Sequence, residues 1–407
     1  MTRGESGALL SAAARAPATM QRICIIGAGQ ISKIYTATLC QRFRLSYVDP
    51  AFSEYAVPDC YVCIDDVPED VFRSFDYYVV STPTDLHVGT VKEILQRNPH
   101  AHIVVEKPLA SHRMFAALKV AVQRYPMCRI IENCQYAQSS LIERILDLSP
   151  EIRTRRHTLR SVYIEMTKNR DLDNRNGRTR DGKYHLLGYE GPHMIALADR
   201  LMRMLFRKNW MPGLTISCIG KHVRHTMPLD EGTARFEFCH PQLPRVQFHT
   251  STIGEIGDRV ATPKQRILAG DPERYRIVRL NFAEFSIIVR MEPQEAEPGT
   301  LTRNLNSIYR LADGKLHGIA EFSLNIFRDA VHRNLADLAS STFDVNRSLV
   351  ISREKLQLLE RAADLFATSP DREIHDRRSS GRVAVRPPPV APLEPALQSM
   401  RRPTPSA

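Results

Sequence analysis

The sequence predicts an α/β portion followed by an α+β portion: a doubly wound parallel sheet, then a mixed, largely antiparallel open sheet. Three observations carry this expectation. The apolar run Arg22-Ile23-Cys24-Ile25-Ile26 stops abruptly at glycine, as a buried strand does on entering a tight turn. Strand and helix patterns then alternate as far as residue 131, which requires crossover connections and so a parallel sheet covered on both faces. Beyond about residue 138 strand candidates succeed one another directly, the habit of antiparallel and mixed sheets.

Residues 1–20 are rich in small side chains, show no sustained period, and read as a flexible extension. A helix is predicted over 30–42, where Ile31, Ile34, Tyr35, Thr38 and Leu39 recur at helical spacing. Strand 45–48 completes a βαβ unit. Further strands are predicted at 77–80, 102–105 and 129–131, with helices at 86–97 and 114–124 between them. Together these define an α/β domain of doubly wound type over 21–137. A second domain, 138–369, takes strands at 160–167, 214–223, 233–238, 246–252 and 277–290, a helix at 189–205, and closing helices at 322–338 and 349–366. The tail 370–407, with its many Pro and Arg, reads as disordered.

Composition narrows the function classes. The chain has 407 residues, 43% hydrophobic and 25% charged, enough for two ordinary cores and polar enough to be soluble. No apolar run approaches the roughly 18 residues of a membrane span. The short candidate at 8–14 is followed at once by Arg15, so neither an anchor nor a secretory signal is expected and the chain reads as cytoplasmic. Eight cysteines lie at irregular positions, and Cys60-x-x-Cys63 has no second pair at zinc spacing, so reduced packing thiols are expected and no metal. The net charge of +11 comes from scattered arginines. Without a helix-turn-helix, a finger spacing or basic residues interleaved with aromatics, it argues against nucleic acid and for attraction of anionic small molecules.

The segment Gly27-Ala28-Gly29-Gln30-Ile31-Ser32 follows a strand and opens a helix, the context in which a glycine pattern marks a dinucleotide site. Gly27 and Gly29 permit the tight turn and close approach of the backbone to a pyrophosphate, while the helix start at Gln30 and Ile31 stabilises its charge. Ser32 stands where a third small residue is usual. Asp49 ends the second strand and is placed to accept hydrogen bonds from the adenosine ribose. It would repel a 2′-phosphate, and no Lys or Arg follows in Pro50-Ala51-Phe52-Ser53. NAD is therefore expected rather than NADP.

Two later segments, Val80-Ser81-Thr82-Pro83-Thr84-Asp85-Leu86-His87 and Val104-Val105-Glu106-Lys107-Pro108-Leu109, each follow a strand and so fall at the carboxyl edge of the sheet, where ligands bind in open α/β folds. With the glycine turn, the mixed second sheet and the closing helices, these segments make residues 20–368 resemble the Gfo/Idh/MocA oxidoreductase family, which includes inositol dehydrogenases and glucose–fructose oxidoreductases. The resemblance implies a Rossmann fold and an NAD(P)-dependent dehydrogenase or reductase acting on a CH–OH group. The substrate would be a small polyhydroxylated molecule: a sugar, amino sugar, nucleotide sugar or cyclitol. It also implies a homo-oligomer, dimer or tetramer.

By the same resemblance Lys107 lies beside nicotinamide and substrate hydroxyl. Glu106 supports the cofactor side and holds Lys107, and Ser81, Thr82, Pro83 and His87 line the cofactor's pyrophosphate and ribose. The family's Asp-x-Gly-x-His helix start is represented by Gly188-Tyr189-Glu190-Gly191-Pro192-His193. His193 takes the histidine position, Tyr189 stands in the aspartate's place, and Glu190 is one position off. Neighbouring helical positions point about 100° apart, so Glu190 would need backbone adjustment to replace that carboxylate; the Tyr189 phenol, with Lys107, is the other candidate for proton transfer. The polar stretch 168–178 suggests a substrate lid, and Gln135 and Tyr136 are weaker candidates to face the site. Two alternatives stay open: an enzyme that oxidises transiently before elimination, hydrolysis or epimerisation, and a non-catalytic NAD-binding regulator.

Overall fold

The computed structural model describes residues 20–51, 59–171, 184–226, 229–258, 260, 266–268, 274–291, 294–297, 300–302 and 304–371. The extension before Met20, residues 52–53, most of the suggested lid and nearly all of the tail lie outside the described residues.

The first sheet comprises β1 (Arg22–Ile26), β2 (Arg44–Val48), β3 (Cys60–Tyr61), β4 (Tyr77–Val80), β5 (His102–Glu106) and β6 (Arg129–Asn133). Its order is β3-β2-β1-β4-β5-β6, with every pairing parallel. This is the doubly wound arrangement expected, and its strands are buried on both faces because helices cover both. The sequence pattern shows how. In helix His112–Arg124 the buried residues are Phe115, Leu118, Ala121 and Val122, a single stripe at helical spacing.

The second sheet comprises β7 (Ser161–Thr167), β8 (Thr215–Thr226), β9 (Leu229–His240), β10 (Leu243–Ser251), β11 (Tyr275–Asn281), β12 (Ser286–Arg290), β15 (Leu305–Ala312) and β16 (Lys315–Ser323), while β13 (Gln294–Glu297) and β14 (Thr300–Thr302) form a separate pair. The order is β16-β15-β12-β11-β7-β10-β9-β8. Only β7 and β10 run parallel; the other neighbours are antiparallel. The predicted strand 277–290 is a hairpin, β11 and β12, because Phe282 N–H bonds back to the Phe285 carbonyl and reverses the chain. Phe322 belongs to β16 rather than to a closing helix, since Asn306 and Leu305 pair with Phe322 and Ser323. Helix Leu141–Leu148 was not anticipated, although Leu141, Ile142, Ile145 and Leu146 are buried at i, i+1, i+4 and i+5. No helix among the described residues is long and apolar enough to cross a membrane, and all eight cysteines are free thiols.

Alternation along β7 sends Val162, Ile164 and Met166 into the main core, which is shared with helix Leu187–Phe206, and Tyr163 into a smaller cluster behind the sheet. The two closing helices do not stay with the second sheet. Helix Ile326–Ala339 lays Val331, Leu335 and Leu338 over Ile23, Ile25, Val79 and Val104 of the first sheet. Asn325 caps it by accepting from Arg328 N–H at 2.8 Å. Helix Val345–Thr368, capped by Asp344 on Asn346 N–H and Arg347 N–H, packs its buried Leu349, Leu356 and Leu359 into the main core.

A buried polar clamp fixes that last helix to the end of β6. Glu132 accepts from Lys355 Nζ, from Ser352 Oγ at 2.9 Å and from Leu109 N–H at 3.3 Å, with Glu132 and Lys355 only 6% and 7% exposed. Removing one member strands a desolvated charge, which costs about 3 kcal/mol or more, whereas removing both charges is far less damaging. Lys355→Met is therefore expected to lower the unfolding free energy in urea by about 3 kcal/mol, and Glu132→Gln combined with Lys355→Met to regain most of it. A single variant as stable as the parent would show that the pair does not clamp the helix.

Candidate active site

The strand order reverses at β1: β2 lies on one side and β4 on the other. Loops leaving the carboxyl ends of β1 and β4 must diverge there, opening the crevice in which dinucleotides bind in such sheets. Gly27, at the end of β1, has φ +98°, and a Cβ added to it would lie 2.8 Å from the Ser81 carbonyl carbon and the Thr82 nitrogen. Both the positive φ and the close approach exclude any other residue. Ser81 ties the two loops together by donating its hydroxyl to the Gly27 carbonyl at 2.8 Å. Around Gly29, by contrast, a Cβ would meet nothing within 4 Å.

Helix Gln30–Leu39 begins at Gly29 with no side-chain cap, so its first N–H groups face open space and remain available to an anion. Gln30 is exposed and Ile31 half-buried at this end. Thr82 Oγ1 is buried without a hydrogen-bond partner. Asp49 is more constrained than expected, because its Oδ2 accepts from Ala28 N–H at 2.6 Å and its Oδ1 from Ala51 N–H at 2.8 Å. It buttresses the glycine turn while staying partly exposed. An open glycine turn, uncapped helix start, orphaned hydroxyl and carboxylate at the end of β2 fit a dinucleotide.

Two expectations about the neighbouring loops are corrected. His87 does not line a cofactor surface with its ring: it is 1% exposed, and its nitrogens sit 2.8 Å from the Thr82 carbonyl oxygen and 3.0 Å from that of Pro108. It braces the loop after β4 against the loop after β5, and burial pushes its pKa below the ordinary histidine value. Pro83, beside it, is exposed. Glu106 does not hold Lys107. It accepts from Tyr35 Oη at 2.6 Å and Asn133 Nδ2 at 2.8 Å, and Asn334 of a closing helix donates in turn to Asn133 Oδ1 at 3.0 Å. Alternation along the strand explains the difference, since consecutive side chains leave opposite faces.

Lys107, joined to Pro108 by a cis peptide bond, reaches instead toward helix Leu187–Phe206, donating to the main-chain oxygen of Tyr189 at 3.4 Å. The Tyr189 ring is buried beneath the Arg170 guanidinium, 4.2 Å from its centroid. His193, one turn along, stands edge-on to the buried ring of Tyr136 with centroids 5.2 Å apart, and its Nδ1 is 3.9 Å from Cys134 Sγ. Burial first, and then the charge of Lys107, hold His193 well below the usual histidine pKa. It is a neutral imidazole at physiological pH.

Glu190 occupies a setting the sequence did not disclose. It is 5% exposed and accepts from Arg170 at 2.7 Å and from Arg276 at 3.5 Å. Burial alone would raise its pKa, but Arg276 and Arg170 keep the carboxyl well below the usual range. Arg170, from the suggested lid, is thus a buried arginine and not part of a solvated loop; residues 172–178 of that stretch lie outside the described residues. Arg276 and its near neighbour Arg274 were not singled out from the sequence. The signal was a basic residue at every second place, Arg274 and Arg276, running into Val278 and Leu280 on the core face of β11.

Comparison with known proteins agrees with this geometry. Residues 21–126 match the family model described as oxidoreductase family, NAD-binding Rossmann fold, of the Gfo/Idh/MocA group. No curated protein matches the chain in sequence. Among solved structures, an oxidoreductase from Agrobacterium radiobacter in complex with NAD+, L-tartaric acid and magnesium superposes with a TM-score of 0.58 at 11% identity, covering 86% of this chain and 97% of that one. A 3-ketoreductase from Actinomadura kijaniata, in complex with NADP and TDP-benzene, gives 0.57 at 12% identity over 84% and 97%. UDP-N-acetylglucosamine 3-dehydrogenase from Acidithiobacillus ferrooxidans gives 0.55 at 13% identity, again over 84% and 97%. At such identities the likeness extends the shared fold through both sheets. Residues 21–126 are thus similar to the NAD-binding Rossmann domain of the Gfo/Idh/MocA oxidoreductases.

Proposed function

We propose that the protein catalyses reversible hydride transfer between a nicotinamide and a secondary hydroxyl of a sugar, amino sugar, nucleotide sugar or cyclitol, with NAD as the preferred cofactor. The observation that carries this reading is the convergence of Lys107 and His193: the loop after β5 brings a cation, and helix Leu187–Phe206 a neutral imidazole on which that cation acts. Both lie past the carboxyl end of the sheet, beside the crevice opened at Gly27.

The bound nicotinamide supplies the hydride acceptor for oxidation and the donor for reduction. The protein's own groups do the rest. Gly27, Gly29 and the uncapped helix start at Gln30 and Ile31 would hold the pyrophosphate, together with the Thr82 hydroxyl and the loop of Ser81 and Pro83. Asp49 offers its exposed edge to the adenosine ribose. Glu106, locked by Tyr35 and Asn133, forms a rigid wall next to Lys107. Lys107 meets the substrate hydroxyl and stabilises negative charge on its oxygen as the proton departs, and the lone pair of His193 receives that proton. In the reverse direction the proton returns to the carbonyl oxygen. Tyr189 contributes the main-chain oxygen that positions Lys107, a part differing from the aspartate it replaces, and Glu190 keeps its arginines in place.

Three outcomes test the reading. Lys107→Ala should lower kcat by about 100-fold or more, the usual scale for loss of an acid–base group, while NADH binding followed by fluorescence stays within a few-fold; unchanged turnover would defeat the assignment. Direct titration should show NADH binding about tenfold or more tightly than NADPH, since Asp49 places a like charge near a 2′-phosphate; equal affinities would remove Asp49 from cofactor choice. The third concerns protonation. Because the folded-state pKa of His193 is depressed, its imidazole should remain neutral at pH 6, where an unperturbed histidine is mostly charged. Nitrogen NMR of labelled histidine should report this, and Lys107→Met should move the titration upward by removing a neighbouring positive charge. A signal titrating near the ordinary value in the parent protein would contradict the role given to the imidazole.

A further inference from the structure

A second cleft lies apart from the cofactor crevice. It has a volume of about 540 Å³ and is walled by helices Leu187–Phe206, Ile326–Ala339 and Val345–Thr368 together with the end of β6, space enough for a small molecule. Gly27, Asp49, Lys107 and His193 all lie outside its wall. Ile131, Phe343 and Ile351 give the cleft apolar surface, and Asp199 and Lys355 stand among its polar residues.

The cations along this wall are already engaged. Arg200 and Arg333 share Glu143, and Arg333 also meets Asp329 at 3.7 Å. Lys355 is bound to Glu132. Arg203 lies 2.8 Å from Asp199 and 3.9 Å from Glu354. Around Asp199, then, three carboxylates face two cations, each cation being divided between two carboxylates or held by one of its own. Arg347, which also lines the cleft, is exposed to solvent.

Asp199 shows where the shortage falls. It is 6% exposed; its Oδ2 accepts from Arg203, while its Oδ1 is buried without a hydrogen-bond partner. Burial pushes the carboxyl above its ordinary value even with Arg203 beside it. A buried carboxylate oxygen without a donor is costly, and the natural remedy is a charged donor brought into the adjoining space. An ammonium group answers both needs, because it supplies up to three N–H donors and one positive charge.

We infer that this cleft binds a small primary amine with a largely apolar body, and that Asp199 Oδ1 receives its ammonium group. The inference is independent of the hydride-transfer reading, since no residue given a part in that reaction lines the cleft. The side chains of Ile131, Phe343 and Ile351 accommodate the body of the amine, and Arg203 keeps the Asp199 carboxylate oriented from its other oxygen.

The test is calorimetric titration of the full chain with two sets of matched probes. Phenethylamine is compared with phenethyl alcohol and phenylpropionate, and isoamylamine with isoamyl alcohol and isocaproate. At least one amine is expected to bind about tenfold or more tightly than both its alcohol and its acid, the scale of a charge-assisted hydrogen bond. Asp199→Asn should abolish that preference. Ala336→Trp, which introduces bulk from an exposed helix position on the cleft wall and alters no ion pair, should weaken amine binding about tenfold or more while leaving the thermal transition unchanged. If Asp199→Asn loses its cooperative thermal transition, Ala336→Trp decides alone. Failure of both amines to bind, alcohols or acids binding as tightly, a preference that survives in folded Asp199→Asn, or amine affinity unaltered by Ala336→Trp would each overturn the inference.

Discussion

Reversal of strand order at β1 is the constraint on which the remainder of the structure hangs. A parallel sheet can be extended outward from a central strand in both directions only if the chain, after building β2 and β3 on one side, crosses back to place β4 on the other. The two loops flanking the crossing touch at Gly27 and Ser81 and diverge beyond that contact, and a crevice results. Gly27 fits the crevice floor because the Ser81–Thr82 backbone leaves no space for a side chain. The loops after β4 and β5 lie along the same edge, held together by the His87 ring. Lys107 then projects toward helix Leu187–Phe206, so the second half of the chain closes over the site with His193. Each later feature presumes the earlier one.

Electrostatics adds a second layer of order. At the cofactor end, charge is handled sparingly: Asp49 is engaged with two backbone N–H groups and Glu106 with a phenol and an amide. Both carboxylates are fixed by neutral partners. At the other end Glu190 is enclosed by guanidinium groups. The start of helix Leu187–Phe206 directs its acid, Glu190, toward arginines and sets a neutral imidazole, His193, one turn along.

Much of this was legible in the sequence because it depends on local chemistry. The strand run ending in Gly27, the helical stripe from Ile31 to Leu39 and the recurrence of strand and helix announce a doubly wound sheet without knowledge of tertiary contacts. The second sheet was readable as a class but not in detail. Its hairpin between β11 and β12 turns at Asn281–Ser286 without a glycine or proline, and β15 and β16 alternate too weakly to separate from a helix start. At the site, positions were legible and partners were not. Glu106 and Lys107 are adjacent in sequence, yet side chains of adjacent strand residues diverge, and Glu106 finds Tyr35 across the layer instead. His87 could be located on its loop, but that its ring would be buried between two carbonyl groups depends on a contact with Pro108. Arg276 is far from His193 in sequence, and only the pairing of β11 with β7 brings them together.

The return of helix Ile326–Ala339 to the first sheet bears on how a ribosome must deliver this protein. Ile23, Ile25, Val79 and Val104 form a face finished by Val331, Leu335 and Leu338, which are translated some two hundred residues after the last strand of that sheet. Domains generally acquire structure in the order of synthesis. Here the nascent dinucleotide-binding portion emerges with an apolar face whose cover has not been made, and no rearrangement of what has emerged can supply it. Until that helix is made, the face can be covered only by provisional contacts, and the first sheet reaches its final packing late in synthesis.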